Sequence, residues 1–320
     1  MNAPLHAVIV APQIVPSSLA ELTDVYCRHA VSVRGVLESS AAAERPYLKR
    51  FFDWFGPPES AADLFRRIHV NSVTQCLINY AAKYGPGSRR CMQNTVRLFL
   101  RFAYHAGYLD RDLSALSPSV RSVRMGKVVR PIPSVCIEAL LGSIHGDTPA
   151  GLRDRALVCL LSTYGVRGVQ VRRLRLEDVD WARERIHFPA VKRGRAVEQH
   201  LTASAGNHLA AYIRKGRPNI SHREVFLRTD APFGPITQPR ELSKLLRKRM
   251  IQAGIKLPEG GRYGAHCFRH AFAARMYGHV PFKDVVDMLG HRDPSTTLIY
   301  GKVDVATLSK AALPWPGGTR

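Results

Sequence analysis

The feature that most limits how this chain can fold is the stretch LSPSVRSVRMGKVVRPIPS, residues 116–134. Pro118, Pro131 and Pro133 each remove a backbone donor and fix φ, so neither a helix nor a central strand can run through it. Its charged residues, Arg121, Arg124, Lys127 and Arg130, are all basic. The stretch therefore reads as an extended linker able to lie along phosphates, and it divides the chain in two. With 320 residues, each part is long enough to bury its own core. The expected organisation is a flexible arm over 1–17, a helical domain over 18–115, a basic linker over 116–132 and a second domain over 133–320.

On the N-terminal side the apolar spacing is helical. PYLKRFFDWF sets Tyr47, Phe51 and Phe55 four apart, and VNSVTQCLINYAAKYG and SRRCMQNTVRLFLRFAYHAGY repeat the pattern with basic residues opposite. Gly85-Pro86-Gly87 predicts a break and Gly107 a helix stop. Three to five amphipathic helices follow from this. On the C-terminal side, AGLRDRALVCLLSTYGV is apolar between its charged start and Gly165, which predicts a buried helix. LEDVDWARERIHFP and VKRGRAVEQHLT carry the β-branched positions and turn residues of a short antiparallel sheet with a tight turn at Gly194, after which helices resume. The fold class is thus mainly α with a small antiparallel β-sheet.

Charge is the strongest bulk signal: Lys and Arg number 47 against 25 acidic residues, a net of +22. Both parts of the chain are positive and arginine outnumbers lysine, which points to a polyanionic partner gripped by guanidinium forks. No run of eighteen apolar residues predicts a membrane span. The opening MNAPLHAVIVAPQIVPSSLAEL lacks a basic start and is broken by Pro4, Pro12 and Pro16, which argues against a signal peptide. The 6 cysteines are scattered without C-x-x-C spacing, so neither a zinc ribbon nor a disulfide framework is indicated and a reducing cytoplasm fits.

Several short stretches carry candidate chemistry. In GAHCFRHAFAARMYGH, His266 and Arg269 share a helical face, while Phe268, Phe272 and Met276 form a second stripe that can pack inward. His266 and His270 also have the i, i+4 spacing of a helical zinc site. The metalloprotease pattern needs a Glu beside the first His, where this chain has Cys267, and Arg269 between the two would repel a dication. Arg167 follows the buried helix, Lys192 sits near a hairpin tip, and in LGHRDPSTTLIYGKVD Gly290 ends a helix just before His291, with Tyr300 on a helix opened by Asp293-Pro294. Taken singly, each is an ordinary surface residue.

In this order, Arg, Lys, His-x-x-Arg, His, Tyr, they resemble the catalytic signature of the tyrosine recombinases, the phage integrase family. The resemblance covers about residues 133–310; the helical part and linker are similar, more loosely, to that family's core-binding domain. It implies a helical DNA-clamp domain joined to a mixed α/β catalytic domain. The implied reaction is site-specific DNA recombination through a 3′-phosphotyrosyl intermediate, with strand exchange at a Holliday junction. Tyr300 would be the nucleophile, and Arg167 and Arg269 would stabilise the charge that builds on the phosphate. Lys192 would be the general acid for the leaving 5′-oxygen, while His266 and His291 would transfer a proton or orient the phosphate. No metal or other cofactor is implied, and the chain has no G-x-x-x-x-G-K-[ST] loop for a nucleotide. Glu177, Asp178 and Asp180 shape a turn and are not read as a two-metal cluster.

The partners implied are double-stranded DNA with paired inverted-repeat sites, three further copies of the chain in a tetramer, and accessory DNA-bending or related recombinase proteins, in a nucleoid-associated setting. The apolar residues Leu308, Ala311, Ala312 and Leu313 suggest that the tail, about 305–320, is exchanged between protomers. One position departs from the family pattern: Gln170 stands where an acidic residue usually follows the first arginine by three. That leaves as alternatives a DNA-binding regulator without catalysis and a DNA-relaxing enzyme of the type IB topoisomerase kind.

Overall fold

A computed structural model describes residues 15–56, 58–115, 131–191, 195–257, 263–277 and 279–290. Contacts divide the chain into two compact units, residues 1–124 and 125–320. Most of the proposed arm, most of the linker and the tail lie outside the described residues.

In the first unit five helices, α1 (Leu19–Ser32), α2 (Glu38–Trp54), α3 (Ala61–Arg67), α4 (Val70–Lys83) and α5 (Pro86–His105), surround an aromatic core. Ser18 and Ser60 cap α1 and α3 by accepting from the backbone N–H of Glu21 and Asp63. The Gly85-Pro86 break starts α5, whose proline needs no intrahelical donor at N1. Phe99 is fully buried with ring centroids of Tyr26, Phe51, Phe52 and Phe65 at 5.8, 6.0, 5.2 and 6.2 Å. Each such ring stabilises the core by roughly 1.5–3 kcal/mol. Arg90 and Arg101 stay exposed on α5. Helix α2 starts at Glu38 and carries Pro46 inside it, ahead of the aromatic repeat quoted above.

The second unit is built around α7 (Pro149–Tyr164), with α6 (Ser134–Ser143) before it and α8 (Gly168–Arg172) after it. Residues 156–162 of α7 are buried on every side, as its near-continuous apolar run requires. One turn of 3-10 helix, Leu176–Asp178, leads into β1 (Val179–Asp180), β2 (Arg185–Phe188) and β3 (Val197–His200). The sheet is antiparallel in the order β1-β2-β3, with Phe188 opposite Val197 and Arg185 opposite His200. Alternation buries Ile186 and Phe188 and turns Arg185 and His187 outward. Helix α9 (Ala203–Ala211) runs on into a π turn at Tyr212–Gly216, and α10 (Pro239–Gln252), α11 (Ala265–Met276) and α12 (Phe282–Met288) complete the unit. Tyr164 joins α7 to the sheet: its hydroxyl donates to the His200 carbonyl at 3.0 Å and accepts from Thr202 N–H at 3.1 Å.

Within this unit a buried charge network fixes the N-terminal half of α7. Arg153 Nε donates to Asp154 at 2.8 Å, Arg249 Nε of α10 donates to the other Asp154 oxygen at 2.7 Å, and Arg153 also reaches the Leu227 carbonyl at 3.2 Å. Asp154 is 3% exposed, so removing it would strand a buried guanidinium.

Candidate active site

The site begins where α7 stops. Gly165 adopts φ +60°, ψ 18° and donates its N–H to Leu161 O, a left-handed helix end. A side chain is excluded here twice over, by the positive φ and by Phe272, whose ring atoms would lie 2.5–2.8 Å from an added Cβ. This tight stop turns the chain so that Arg167 is the residue that opens α8, and it aims the Gly165 carbonyl at α11.

Arg269, on α11, answers it. It is 3% exposed, donating through Nη1 to Gly165 O at 2.9 Å and through Nη2 to Leu289 O at 2.7 Å. The residue is therefore part of the core and not of a solvated face. Phe268 and Phe272 are buried on the same helix, as the second stripe predicted, and His266 stays exposed.

Arg167 reaches the same corner from the other side. Its Nη1 lies 3.5 Å from Leu289 O and 3.4 Å from Gly290 O. Two guanidinium groups thus converge on the carbonyls at the end of α12, one residue before His291. Like charges held this close repel, and an anion between or beside them relieves that repulsion. Gly290 turns the corner with φ +60°, and an added Cβ would stand 2.9 Å from Val197 Cγ2 and 3.6 Å from Arg195 O. The returning strand of the β2–β3 hairpin accordingly packs against the corner that both arginines hold.

Although His266 keeps part of its surface exposed, it is held below its ordinary pKa, first by partial desolvation and then by the positive charges of Arg269 and Arg167. At neutral pH its imidazole is uncharged and able to accept a proton. His270, one turn on, is pushed down to about 4 by burial, with His266 and Arg269 adding to the effect. The folded protein therefore binds fewer protons than the unfolded chain between about pH 4 and the ordinary value of 6.5, so stability is full above that window and is lost as pH falls through it. Replacing His270 with Gln should flatten the fall of the thermal unfolding midpoint between pH 6.5 and 4; an unchanged slope would contradict a neutral, desolvated imidazole.

The zinc alternative finds little to build on. The His266 and His270 rings stand 6.3 Å apart, Cys267 Sγ donates to Gly264 O, and among the described residues no group of three His, Cys, Asp or Glu side chains is placed to hold a metal. Of the sequence-predicted set, the structure brings together Arg167, His266 and Arg269. Lys192, His291 and Tyr300 lie outside the described residues.

Two further side chains brace the site: Arg172, which no motif singled out, and Gln170, known from the sequence only as a departure from the family pattern. Arg172 is buried and donates to the carbonyls of Ile236 and Thr237, tying α8 to the segment before α10. Gln170, 1% exposed, accepts from the Arg167 backbone N–H at 3.0 Å and donates to Pro189 O at 3.2 Å. The Arg172 bonds and the Gln170–Pro189 bond are not signalled by spacing, because they depend on where distant segments arrive; the Gln170–Arg167 bond is a local i, i+3 contact.

Among the described residues no helix is long and apolar enough to cross a membrane. The family model described as "Phage integrase family" matches residues 134–306. The relative "Putative integrase/recombinase y4rA" of Sinorhizobium fredii is 33% identical over 304 residues, covering 94% of this chain and 72% of that protein. "Tyrosine recombinase XerC 2" of Ralstonia nicotianae is 32% identical over 292 residues, covering 87% of this chain and 81% of that protein. Among solved structures, the XerH site-specific recombinase bound to palindromic difH substrate in a post-cleavage complex has a TM-score of 0.69 at 18% identity, over 92% of this chain and 84% of that chain, a likeness of fold. With the two arginines of its signature converging beside a neutral histidine, this chain belongs to the phage integrase family of tyrosine recombinases and is an enzyme of site-specific DNA recombination.

Proposed function

We propose that this chain cuts and rejoins duplex DNA with Tyr300 as nucleophile and with the phosphate seated against Arg167 and Arg269. The observation that carries the reading is the convergence of both guanidinium groups on the Leu289–Gly290 carbonyls, immediately ahead of His291 and ten residues before Tyr300. Attack on a phosphodiester adds a second negative charge to the phosphoryl oxygens, and two fixed forks stabilise that charge without a metal. The tyrosine oxygen forms a bond to phosphorus as the bond to the 5′-oxygen breaks. His266, uncharged at neutral pH, takes the phenolic proton; Lys192 gives one to the departing 5′-oxygen. His291 hydrogen-bonds the phosphate. The 3′-phosphotyrosyl product retains the energy of the broken bond, so a 5′-hydroxyl from a second duplex can reverse the step on a new strand.

Exchange between two duplexes, each with an inverted pair of binding sites, requires four protomers, and the palindromic substrate of XerH fits that arrangement. We assign the helical unit to the DNA clamp, the basic linker to the phosphate backbone and the tail, about 305–320, to a neighbouring protomer. The acidic side chains Glu177, Asp178 and Asp180 stay with the turn before β2 and take no part.

The test is strand exchange between two DNA fragments carrying the chain's native flanking sequence, in EDTA and without nucleotide. Joined recombinant product under those conditions is the expected result. Exchange that appears only when a divalent metal or ATP is added back would contradict the mechanism.

A further inference from the structure

Gln170 occupies the position where the family pattern usually has an acid, and in this site its amide is committed at both ends. Oε1 accepts from the Arg167 backbone N–H at 3.0 Å, while Nε2 donates to the Pro189 carbonyl at 3.2 Å. The orientation of the amide follows from its partners, since a backbone N–H can only donate and a proline carbonyl can only accept. Pro189 follows Phe188, the last residue of β2, and begins the segment that carries Lys192. At the other end of that segment, Arg195 and Val197 pack against Gly290, the corner on which Arg167 closes.

We infer that Gln170 is a positioning residue that couples the Arg167 turn to the root of the Lys192 segment, and that a neutral amide is what this site requires at the position. A glutamate there would still accept from Arg167 N–H. Against Pro189, however, it would set a buried carboxylate oxygen beside a carbonyl oxygen, and the donor that holds the root of the hairpin would be gone. The inference rests on the reading of Lys192 as proton donor to the leaving oxygen.

That dependence supplies the test. Cleavage is compared for wild type, Lys192→Ala, Gln170→Glu and Gln170→Met on ordinary DNA and on DNA whose scissile 5′-bridging oxygen is replaced by sulfur. In the second substrate the tyrosine oxygen bonds to phosphorus and the phosphorus–sulfur bond breaks. The sulfur leaves as a thiolate, whose conjugate acid is far stronger than an alcohol, so no proton donor is needed.

On ordinary DNA, Lys192→Ala should lose about 10²- to 10⁴-fold, the usual worth of a general acid. Gln170→Glu should lose up to about 10²-fold, as expected of a donor displaced by an ångström. On sulfur-bridged DNA both should recover toward wild type, because what they lack is the proton. Gln170→Met keeps the shape without charge and guards against the glutamate simply disrupting the fold; because it also gives up the acceptor for Arg167 N–H, it should recover the part of its loss that is due to the proton donor, with thermal unfolding checking that each variant is native.

If Lys192→Ala recovers and neither Gln170 variant does, the coupling is overturned while the role of Lys192 stands. If Lys192→Ala does not recover, the proton-donor reading falls and this inference falls with it. A Gln170→Glu variant as fast as wild type on ordinary DNA also overturns it.

Discussion

Replacing Tyr300 with Phe is expected to abolish covalent attachment to DNA altogether while leaving duplex binding near wild type. In the proposed mechanism the phenolic oxygen is the atom that becomes bonded to phosphorus, so no neighbouring group could compensate for its loss. Binding is a separate matter. It draws on a chain with a net charge of +22, mostly through phosphate contacts, and one uncharged hydroxyl contributes little to it. The two quantities are read from one experiment: the variant is titrated onto duplex DNA by mobility shift, then boiled in detergent and examined for protein that carries DNA. Equal loss of binding and attachment would mean that Tyr300 supports the DNA-binding surface and is not the nucleophile.

The second large effect belongs to Arg269→Ala. In the proposed mechanism Arg269 stabilises the transition-state oxygens, so its loss should slow cleavage by about 10³-fold or more. The same side chain is a core element, and truncating it takes its donor from the Gly165 carbonyl and leaves the Leu289 carbonyl only the long Arg167 contact, which should cost about 1–3 kcal/mol of stability. Arg269→Lys keeps the charge but cannot span both carbonyls as a planar fork does, so it should restore binding more than cleavage. Arg167 provides the contrast. It is half-buried and its carbonyl contacts are long, 3.4 and 3.5 Å, so Arg167→Ala should slow cleavage comparably with a much smaller loss of unfolding temperature. Single-turnover cleavage beside thermal unfolding separates the two. Cleavage by Arg269→Ala within tenfold of wild type would remove this residue from the chemistry.

Much of the fold was legible because its signals are local. The apolar run of α7 and the glycine that stops it, the alternation that buries Ile186 and Phe188, and the left-handed glycines at 107, 165 and 290 all follow from residues within a turn or two of one another. The extent of α2 was not: the quoted apolar repeat starts at Pro46, whereas the helix begins at Glu38 and holds Pro46 inside it, with Leu48, Phe51 and Phe52 buried.

The candidate site divides in the same way. Residue types and order named Arg167, His266 and Arg269, but spacing alone made Arg269 a surface partner of His266. Its burial arises from Gly165 and Leu289, which are 104 and 20 residues away in sequence. Gln170 reads as a weakening of the signature until Pro189 is seen opposite its amide; the contact exists only because β2 ends beside the start of α8. Local chemistry announced which side chains matter. Which of them the fold uses as braces depended on long-range packing that no spacing records.

In the proposed reaction one tyrosine becomes covalently joined to DNA. The most direct measurement traps wild-type protein on a nicked duplex bearing its native site, so that the cut strand diffuses away, then digests the complex with trypsin and nuclease and identifies the modified peptide by mass spectrometry. The expected result is the mass of a residual 3′-nucleotide on the peptide spanning residues 293–302, DPSTTLIYGK, in which Tyr300 is the sole tyrosine. Attachment through any other residue, or a 5′-phosphate on the protein, would contradict it.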